Sequence, residues 1–517
     1  MRRLSFLLLI LLLLLAGCGD DDDDNDDSSD DDAADDDSSD DDDDDDTTDD
    51  DTLDDDTLDD DTLDDDSLDD DTVDDDDDTP GPYDDMTPTG KAVGDILSIA
   101  SHMSTGAAYR REREFEIQQE VAAGITNVRR GFYWNNIEPQ DDVWTFDGYD
   151  VMVGLISEAG LNPLAMVTHS VGWAAPGGSP NEIDPAKFAD FAGTVAARYA
   201  DDLDLYEIWN EQNTERFWSG GPNPEHYGLL LEAAYEAIHE NDPTAEVMFG
   251  GMSSLDTEHL LDPRGVWNFL ARTGEEHPDL CDFIDGVAIH PYTFLQQPGP
   301  ELSLDILGLY RYPDLRTTID DVRGMLEELG CRDKAIHLTE MGWPSLLIGN
   351  DRQAAYYARG ALLSAAAGVA GYYWYTFYDE EPGSTIPTED YFGLYELPDG
   401  VTDPDPKPAY NALVALSELV GASRYAGDLG VALEWDAADD NYALAFVDDD
   451  GLWTITAWRF GLNLGQQATV EIPLPPGATG NWTLYDQFGD QLDSAAVDGA
   501  VSLTIDGNVR YLQVATE

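Results

Sequence analysis

The sequence predicts an α/β protein built around a closed barrel of strands and helices, with an all-β unit behind the barrel and an acidic linker in front of it. Three observations support this prediction. Short apolar runs alternate with amphipathic segments of helical length over residues 86–420, the repeat typical of a (β/α)8, or TIM, barrel. Over residues 421–517 short strand-like runs and turn signals favour a small antiparallel β-sandwich. Before residue 86 the composition is not that of a packed domain.

The amino-acid composition indicates which classes of binding partner are disfavoured. The 517 residues include 111 acidic and 24 basic side chains, a formal net charge of -87, and the 42% hydrophobic content can bury a large core. The acidic excess is concentrated between Asp20 and Thr79 without being confined there. A surface of this sign repels nucleic acid and anionic lipid headgroups, so we expect no nucleic-acid partner.

Residues 1–18 have the layout of an export signal. Two arginines precede an apolar stretch, residues 4–15, that is too short to span a membrane comfortably. Leu15-Ala16-Gly17-Cys18 resembles the lipobox of bacterial lipoproteins, which implies cleavage before Cys18, lipidation of that residue and attachment to a membrane. Gly19 does not match an inner-membrane retention signal, so we expect the outer membrane or cell surface. A plain secretory signal is the alternative.

Residues 19–85 are predicted to be a disordered, Asp-rich linker. Near-repeats such as Thr52-Leu-Asp-Asp-Asp contain little apolar surface to offset the entropy of ordering, and their charges repel one another. An extended spacer of this length reaches on the order of 200 Å. A calcium-binding array is the alternative, although the run has no Gly for the sharp turn of a calcium loop.

The barrel prediction depends on eight candidate strands and the helices between them. The strands are residues 96–100, 127–132, 162–168, 203–210, 246–251, 286–290, 335–339 and 371–376. The helices are residues 110–123, 149–159, 185–199, 224–241, 319–329 and 352–367. An open doubly wound sheet is the alternative, but no Gly-rich phosphate loop follows the first strand.

The C-terminal unit contains candidate strands at residues 441–447, 452–459, 469–474, 482–486 and 509–514. The first two flank Asp448-Asp-Asp-Gly451, a hairpin signal. Four tryptophans of this unit are compatible with either a sugar-binding face or core packing: Trp435, Trp453, Trp458 and Trp482.

Two of the barrel strands end in a carboxylate. Asn210-Glu211 ends the fourth candidate strand and Glu340 ends the seventh. Active sites of β/α barrels lie at the carboxyl ends of the strands, and a pair of carboxylates is what glycoside hydrolysis requires.

The residues around both carboxylates match a family pattern. Trp209-Asn210-Glu211 together with Thr339-Glu340 resembles the clan A retaining glycoside hydrolases. Residues 207–213, Val128-Arg129 and residues 134–139 are most similar to the family 39 neighbourhood, with families 5 and 42 close, and the resemblance covers about residues 90–420. It implies hydrolysis of β-O-glycosidic bonds of an extracellular oligo- or polysaccharide through a covalent glycosyl-enzyme, with no cofactor or metal. We expect a monomer.

The resemblance also implies residue roles. Glu211 would be the general acid/base and Glu340 the nucleophile, while Asn210 would bind the sugar hydroxyl beside the anomeric carbon. Arg129 would lie beside Glu340 and keep it ionised, because a guanidinium lowers the pKa of a neighbouring carboxyl. Retention requires carboxyls about 5–5.5 Å apart and inversion about 6.5–9.5 Å.

Further substrate contacts follow from the same resemblance. It places His290 and Tyr292 at the end of strand six, near the nucleophile or the substrate. Trp374 would be the platform beneath the sugar, followed by a cis peptide between Trp374 and Tyr375. Additional candidate contacts are His169, which follows strand three, and Trp134 and Trp343, for which core packing is the alternative.

Three further expectations concern side chains outside this set. Strand alternation places Glu207 below Glu211 and favours a buried ion pair for it. Cys281 and Cys331 precede strands six and seven, neighbours in a barrel, so we expect a disulfide, which an exported compartment permits. His102 follows strand one and is another possible substrate contact.

Two other functions use the same residues. A barrel that kept its groove but lost turnover would be a surface carbohydrate-binding protein, although a binder has no need of both Glu211 and Glu340. A transglycosylase that remodels the cell's own polysaccharide would need both.

Overall fold

The computed structural model describes residues 81–106, 109–254, 267–293, 296–306, 310–380, 388–398, 403–461 and 464–517. The predicted export signal, the lipidation site Cys18 and the acidic linker as far as residue 80 lie outside these described residues. Within the described ranges no helix is long and apolar enough to cross a membrane. The described residues all belong to one compact unit.

The predicted barrel is confirmed. After β1 (Thr89–Ala92), its strands are β2 (Leu97–Ala100), β3 (Asn127–Tyr133), β4 (Asn162–Thr168), β5 (Leu205–Asn210), β6 (Glu246–Ser253), β7 (Gly286–His290), β10 (Ala335–Met341) and β11 (Gly371–Tyr375), with a small hairpin of β8 (Leu304–Ile306) and β9 (Tyr310–Tyr312) inserted after β7. The eight parallel strands close in chain order, so that β2 is the first barrel strand and β11 the eighth. Strands such as β4 and β7 are buried on both faces, which is why they read as continuous apolar runs.

Helices cover the outside of the barrel. They are Arg110–Ala122, Asp147–Glu158, Pro185–Tyr199, Pro224–Asn241, Asn268–Glu276, Leu315–Leu329, Asn350–Ala366 and Pro408–Val420, with single turns at Val93–Ile96, Trp134–Ile137, Ser345–Ile348 and Leu429–Ala432. The cap residues Asp184, Asn223 and Asp314 each accept a hydrogen bond from a backbone N–H of the first turn. Asn268–Glu276 and Pro408–Val420 were not among the predicted helices.

The C-terminal unit is the expected all-β structure. Its strands are β12 (Arg424–Asp428), β13 (Asn441–Val447), β14 (Leu452–Arg459), β15 (Ala468–Pro473), β16 (Ala478–Tyr485), β17 (Gln491–Ala496), β18 (Ala500–Ile505) and β19 (Arg510–Thr516). Seven strands form one sheet in the order β1-β12-β13-β14-β19-β16-β17, and β15 pairs with β18. Alternation divides the sheet: Leu444 and Phe446 join the barrel core, whereas Ala443 and Ile455 join the core shared with β15 and β18.

The start of the globular chain belongs to this sheet and not to the barrel. β1 pairs antiparallel with β12, with Thr89 opposite Tyr425. The Tyr83 hydroxyl donates to the carbonyl of Pro473 at 2.7 Å, and the Tyr83 ring meets Trp453 edge-on. The partners of this polar segment thus lie far away in the sequence.

A buried ion pair of the barrel binds a tryptophan of the C-terminal unit. Arg359 and Glu301 are fully buried, with Arg359 Nε 2.9 Å from Glu301 Oε1. Trp458 of β14 donates its indole N–H to the same carboxylate at 2.9 Å. The core interpretation is thus correct for Trp458, and the other three C-terminal tryptophans are half-buried against the smaller core.

Cys281 and Cys331 form the predicted disulfide, with Cα atoms 5.2 Å apart. Cys281 precedes β7 and Cys331 precedes β10, and these two strands are paired neighbours in the barrel. The bond therefore lies at the amino ends of the strands, away from the carboxyl ends that carry the candidate site.

Candidate active site

The fourth barrel strand ends in a strained turn that carries Asn210 and Glu211. Trp209 and Glu211 have φ of 77° and 46°, a region in which a residue with a side chain costs about 1–3 kcal/mol. The neighbouring strand supports the turn, since the Glu211 N–H donates to the Gly251 carbonyl at 2.8 Å. A Cβ on Gly251 would collide with the ring of His290, so this position requires glycine. The turn holds the Glu211 side chain at the carboxyl end of the barrel.

The seventh barrel strand delivers Glu340 to the same end. The register between β10 and β11 shifts between Leu338 and Met341, and such an irregularity re-aims side chains at a strand end. Glu340 accepts hydrogen bonds from Arg129 Nη1 at 2.6 Å and from the Tyr292 hydroxyl at 3.1 Å. Its side chain keeps 13% of its surface exposed, enough to face the mouth of the barrel.

Arg129 connects the two strand ends from below. Its guanidinium contacts Glu207 through Nε at 2.6 Å and Nη2 at 3.0 Å, and Nη2 also donates to Asn210 Oδ1 at 2.8 Å. Glu207 is fully buried and accepts a further hydrogen bond from the Gly251 N–H at 2.8 Å. The predicted contact of Arg129 with Glu340 is present, and so is the buried ion pair expected for Glu207.

His290 lies between the two candidate catalytic carboxylates. Its Nδ1 is 3.1 Å from Glu211 Oε1 and 3.6 Å from Glu340 Oε2, and the ring is fully buried. One carboxylate oxygen of each glutamate and one ring nitrogen all lie within 4.8 Å of one another. The structure thus brings Glu211, Glu340, Asn210 and His290 into one cluster.

The surrounding charges favour an ionised Glu340. Burial would raise the pKa of Glu340, but the charges of His290 and Arg129 outweigh burial and hold this pKa below its usual value. Burial, reinforced by the charge of Glu340, raises the pKa of Tyr292 well above its usual value. Tyr292 therefore keeps its proton and remains a donor to the carboxylate.

The same cluster has the spacing of a metal site, but its charges oppose that use. Arg129 lies 2.6 Å from Glu340, so a divalent cation there would be repelled by the guanidinium. A second acidic group in the described part of the chain, Glu138 with two aspartates, is exposed apart from Glu138 itself. Glu138 already accepts hydrogen bonds from the Trp134 indole and the Asp142 N–H.

Trp374, the predicted sugar platform, does not face the candidate site; the next residue does. Trp374 is fully buried and points away from the barrel axis, packing against Tyr357 of the helix Asn350–Ala366 at 4.3 Å between ring centroids. The cis peptide lies between Tyr375 and Thr376, not between Trp374 and Tyr375. Successive strand residues face opposite sides, so the aromatic side chain that faces the site is that of Tyr375.

Two other predicted contacts are core residues. Trp134 is fully buried and stacks on Phe191 with centroids 5.4 Å apart. Trp343 is also fully buried, and its indole N–H is 2.9 Å from Thr293 Oγ1. Large aromatics that follow barrel strands fill space behind the loops here, so neither indole offers a face to a sugar.

Two other residues lie on the rim of the mouth. His169 is exposed, has φ of 73° and packs against Tyr133 with ring centroids 4.7 Å apart. His102 meets the Tyr375 ring edge-on at 5.2 Å. Contact of either histidine with substrate stays a prediction. Tyr375 itself was not predicted.

Comparison with known proteins gives likeness in structure only. No family model and no curated protein matches the sequence. A family 39 glycoside hydrolase from the gut symbiont Bacteroides cellulosilyticus WH2 has a similar structure, with a TM-score of 0.63 and 20% identity over 82% of each chain.

Two further solved structures extend this likeness. A monomeric β-xylosidase from Caulobacter crescentus CB15 matches with a TM-score of 0.58 and 17% identity over 84% of this chain and 98% of that one. A family 30 endoxylanase from Clostridium papyrosolvens C71 matches with a TM-score of 0.53 and 10% identity over the same shares. At these identities the comparisons establish a shared fold.

Proposed function

We propose that this chain is a retaining glycoside hydrolase that cleaves β-O-glycosidic bonds of an extracellular oligo- or polysaccharide. The pair Glu211 and Glu340 is the observation that supports this proposal most strongly. Their nearest oxygens lie within 4.8 Å, which fits the separation of about 5–5.5 Å for retention better than the about 6.5–9.5 Å that inversion needs to admit a water. The solved structures of similar fold, being glycoside hydrolases, agree with this class.

In the first step Glu340 attacks the anomeric carbon. Arg129 at 2.6 Å and Tyr292 at 3.1 Å stabilise the carboxylate form that this attack requires. Glu211 donates its proton to the glycosidic oxygen, the bond from that oxygen to the anomeric carbon breaks, and the leaving sugar departs as an alcohol. The product is an ester between Glu340 and the sugar.

In the second step Glu211, now a carboxylate, removes a proton from water. The water oxygen attacks the anomeric carbon, the ester bond breaks and Glu340 is released as a carboxylate. Asn210 has its amide oxygen fixed by Arg129 at 2.8 Å, which directs the amide N–H2 group toward the substrate. It is placed to bind the sugar hydroxyl next to the anomeric carbon in both steps.

The test is turnover of a panel of aryl β-glycosides and β-linked polysaccharides by the full-length protein. Glu340→Gln should abolish turnover, and Glu211→Gln should lower kcat/KM by roughly 10²–10⁴-fold on substrates with poor leaving groups. Glu246→Gln is the matched control, because Glu246 is an exposed carboxylate at the amino end of the fifth barrel strand. NMR of the first product should show retention of the anomeric configuration.

Two outcomes would contradict the proposal. Inversion at the anomeric carbon would remove the covalent intermediate and the nucleophile role of Glu340. Glycan binding without turnover, unchanged in both Gln variants, would favour a carbohydrate-binding protein.

We also propose export and lipidation at Cys18. The disulfide between Cys281 and Cys331 supports export, because such bonds persist in oxidising compartments. Cells grown with labelled fatty acid should produce a labelled membrane-bound protein, and Cys18→Ser should lose both label and membrane attachment. A labelled Cys18→Ser variant would refute lipidation at this residue.

A further inference from the structure

Residues 376–380 and 388–395, which follow the eighth barrel strand, form the two sides of a stem beside the candidate site. The Glu380 N–H donates to the Asp390 carbonyl at 3.0 Å, which brings the two sides of the stem together. The Tyr391 carbonyl accepts from Lys407 Nζ at 3.3 Å and from Ser345 Oγ at 3.3 Å, and these bonds fix the short turn Glu389–Tyr391. The stem therefore presents Glu380 and Glu389 from a defined position.

Two ion pairs tie the stem to other loops of the barrel mouth. Glu380 contacts His102 Nδ1, after the first strand, at 2.6 Å. Arg216, after the fourth strand, donates from Nη1 and Nη2 to the two carboxylate oxygens of Glu389 at 2.9 and 3.4 Å. Strands four and eight lie opposite one another in an eight-stranded barrel, so the second pair spans the mouth.

The spanning pair lies close to the reacting groups. Tyr375 is in the middle: burial and then the charges of Glu340, Glu380 and Glu389 raise its pKa well above the usual value. The hydrogen bond to Glu389, and more weakly the charge of Glu211, raises the pKa of Arg216. Phe392, three residues after Glu389, meets the rings of Tyr375 and Tyr292 edge-on at 5.3 and 6.0 Å. Tyr292 in turn donates to Glu340 at 3.1 Å, so the Glu389 side of the pair lies beside the nucleophile.

We propose that the ion pair between Arg216 and Glu389 determines specificity by closing the groove between the fourth and eighth strands, so that the enzyme acts on glycan chain ends. This inference rests on the proposed hydrolase function. Cleavage of an internal bond needs sugar units on both sides of Glu211 and Glu340, and a chain that crosses the mouth toward strands five to seven meets this pair. A chain end occupies sugar sites on only one side of Glu211 and Glu340, so it does not have to pass this pair.

The test compares where a glycan chain is cut by the wild type, Arg216→Ala, Glu389→Ala and a control. Arg198→Ala is the matched control, because Arg198 forms a bidentate ion pair with Asp150 at 2.6 and 2.7 Å on the outer helices. The substrate is the polysaccharide turned over in the panel, and its oligosaccharides labelled at the reducing end. The frequency of internal cuts is measured as the loss of viscosity for each reducing end released. For each variant this value is divided by its turnover of an aryl glycoside, which normalises for overall activity.

We expect the wild type and Arg198→Ala to release terminal sugars with little loss of viscosity. Arg216→Ala and Glu389→Ala should raise the normalised frequency of internal cuts up to about fivefold, the largest factor expected when an exposed ion pair no longer opposes entry. Their melting temperatures should stay close to that of the control.

The possible failures are distinguishable. A wild type that already cuts internally overturns this inference while the hydrolase proposal stands. The same holds if all four proteins give the same ratio of internal to terminal cuts. A wild type that turns over no glycoside removes the proposed function and this inference together.

Discussion

Two consecutive arginines on β3 give a matched test of the electrostatics of the site. Arg129 points into the barrel and contacts Glu207 and Glu340, both at 2.6 Å. Arg130 points outward and contacts two buried carboxylates of the helix Arg110–Ala122 at 3.1 and 3.3 Å. Both guanidinium groups are 5% exposed or less. Arg129→Met and Arg130→Met therefore make the same chemical change on opposite faces of one strand.

The two variants should lose similar stability. Removing one partner of a buried ion pair costs about 3–5 kcal/mol, because the remaining charge stays buried without compensation. At about 2 °C per kcal/mol the melting temperature should fall by roughly 6–10 °C in either variant. Circular dichroism during heating measures this shift.

Only Arg129→Met should change the chemistry. A hydrogen bond to a charged group contributes about 1.5–3 kcal/mol, so its loss should raise the pKa of Glu340 by about 1–2 units. The nucleophile must be ionised, so the acid limb of the kcat/KM profile should move to higher pH. Arg130→Met should keep the wild-type profile.

The stability of Arg129→Met should also depend on pH. The folded pKa of Glu340 lies below its usual value, so this carboxylate contributes stability above the unfolded pKa of about 4.3 and loses the contribution as pH falls through the folded pKa. The stability difference between wild type and Arg129→Met should therefore shrink at acid pH. Identical pH–activity profiles for the two Met variants would refute this account of Arg129.

Three further predictions test the neighbourhood of the site. Tyr292→Phe removes the 3.1 Å hydrogen bond to Glu340 and should lower kcat/KM for an aryl glycoside roughly ten- to hundredfold. Unchanged kinetics would argue against a role of Tyr292 in stabilising the Glu340 carboxylate. Replacing Cys281 and Cys331 by Ser opens a disulfide between residues 50 apart and should cost about 4 kcal/mol in the free energy of unfolding, with activity at 25 °C retained because the bond is at the far end of the barrel. Trp374→Phe should lower the free energy of unfolding by about 0.5–3 kcal/mol and leave KM unchanged. A raised KM would instead show that Trp374 contacts the sugar.

The strands of the barrel could be predicted because burial on both faces leaves a clear apolar signal. Two of the strands that escaped prediction lack this signal. β17 (Gln491–Ala496) is exposed along its whole length, and β1 (Thr89–Ala92) is exposed apart from its last residue. Their pairing is decided by distant partners, which no local pattern specifies.

The site was predictable to the extent that strand order determines it. Glu211 and Glu340 follow from which residues end the fourth and seventh strands, whereas the places of Arg129 and His290 follow only from the family resemblance. The facing aromatic did not follow, because residues 372–375 are all aromatic and contain no polar position to mark the inward face. A shift of one residue along a strand moves a side chain to the opposite face.

The pairing of β1 with β12 has a consequence for the order in which the chain folds. Thr89 finds its partner only when Tyr425 has been synthesised, so the first strand of the globular part must wait for one of the last. Contacts of such long sequence separation close late and slow folding. Residues 89–92 thus stay unpaired until the barrel has been synthesised, and a chain that stops before β12 leaves them without a partner.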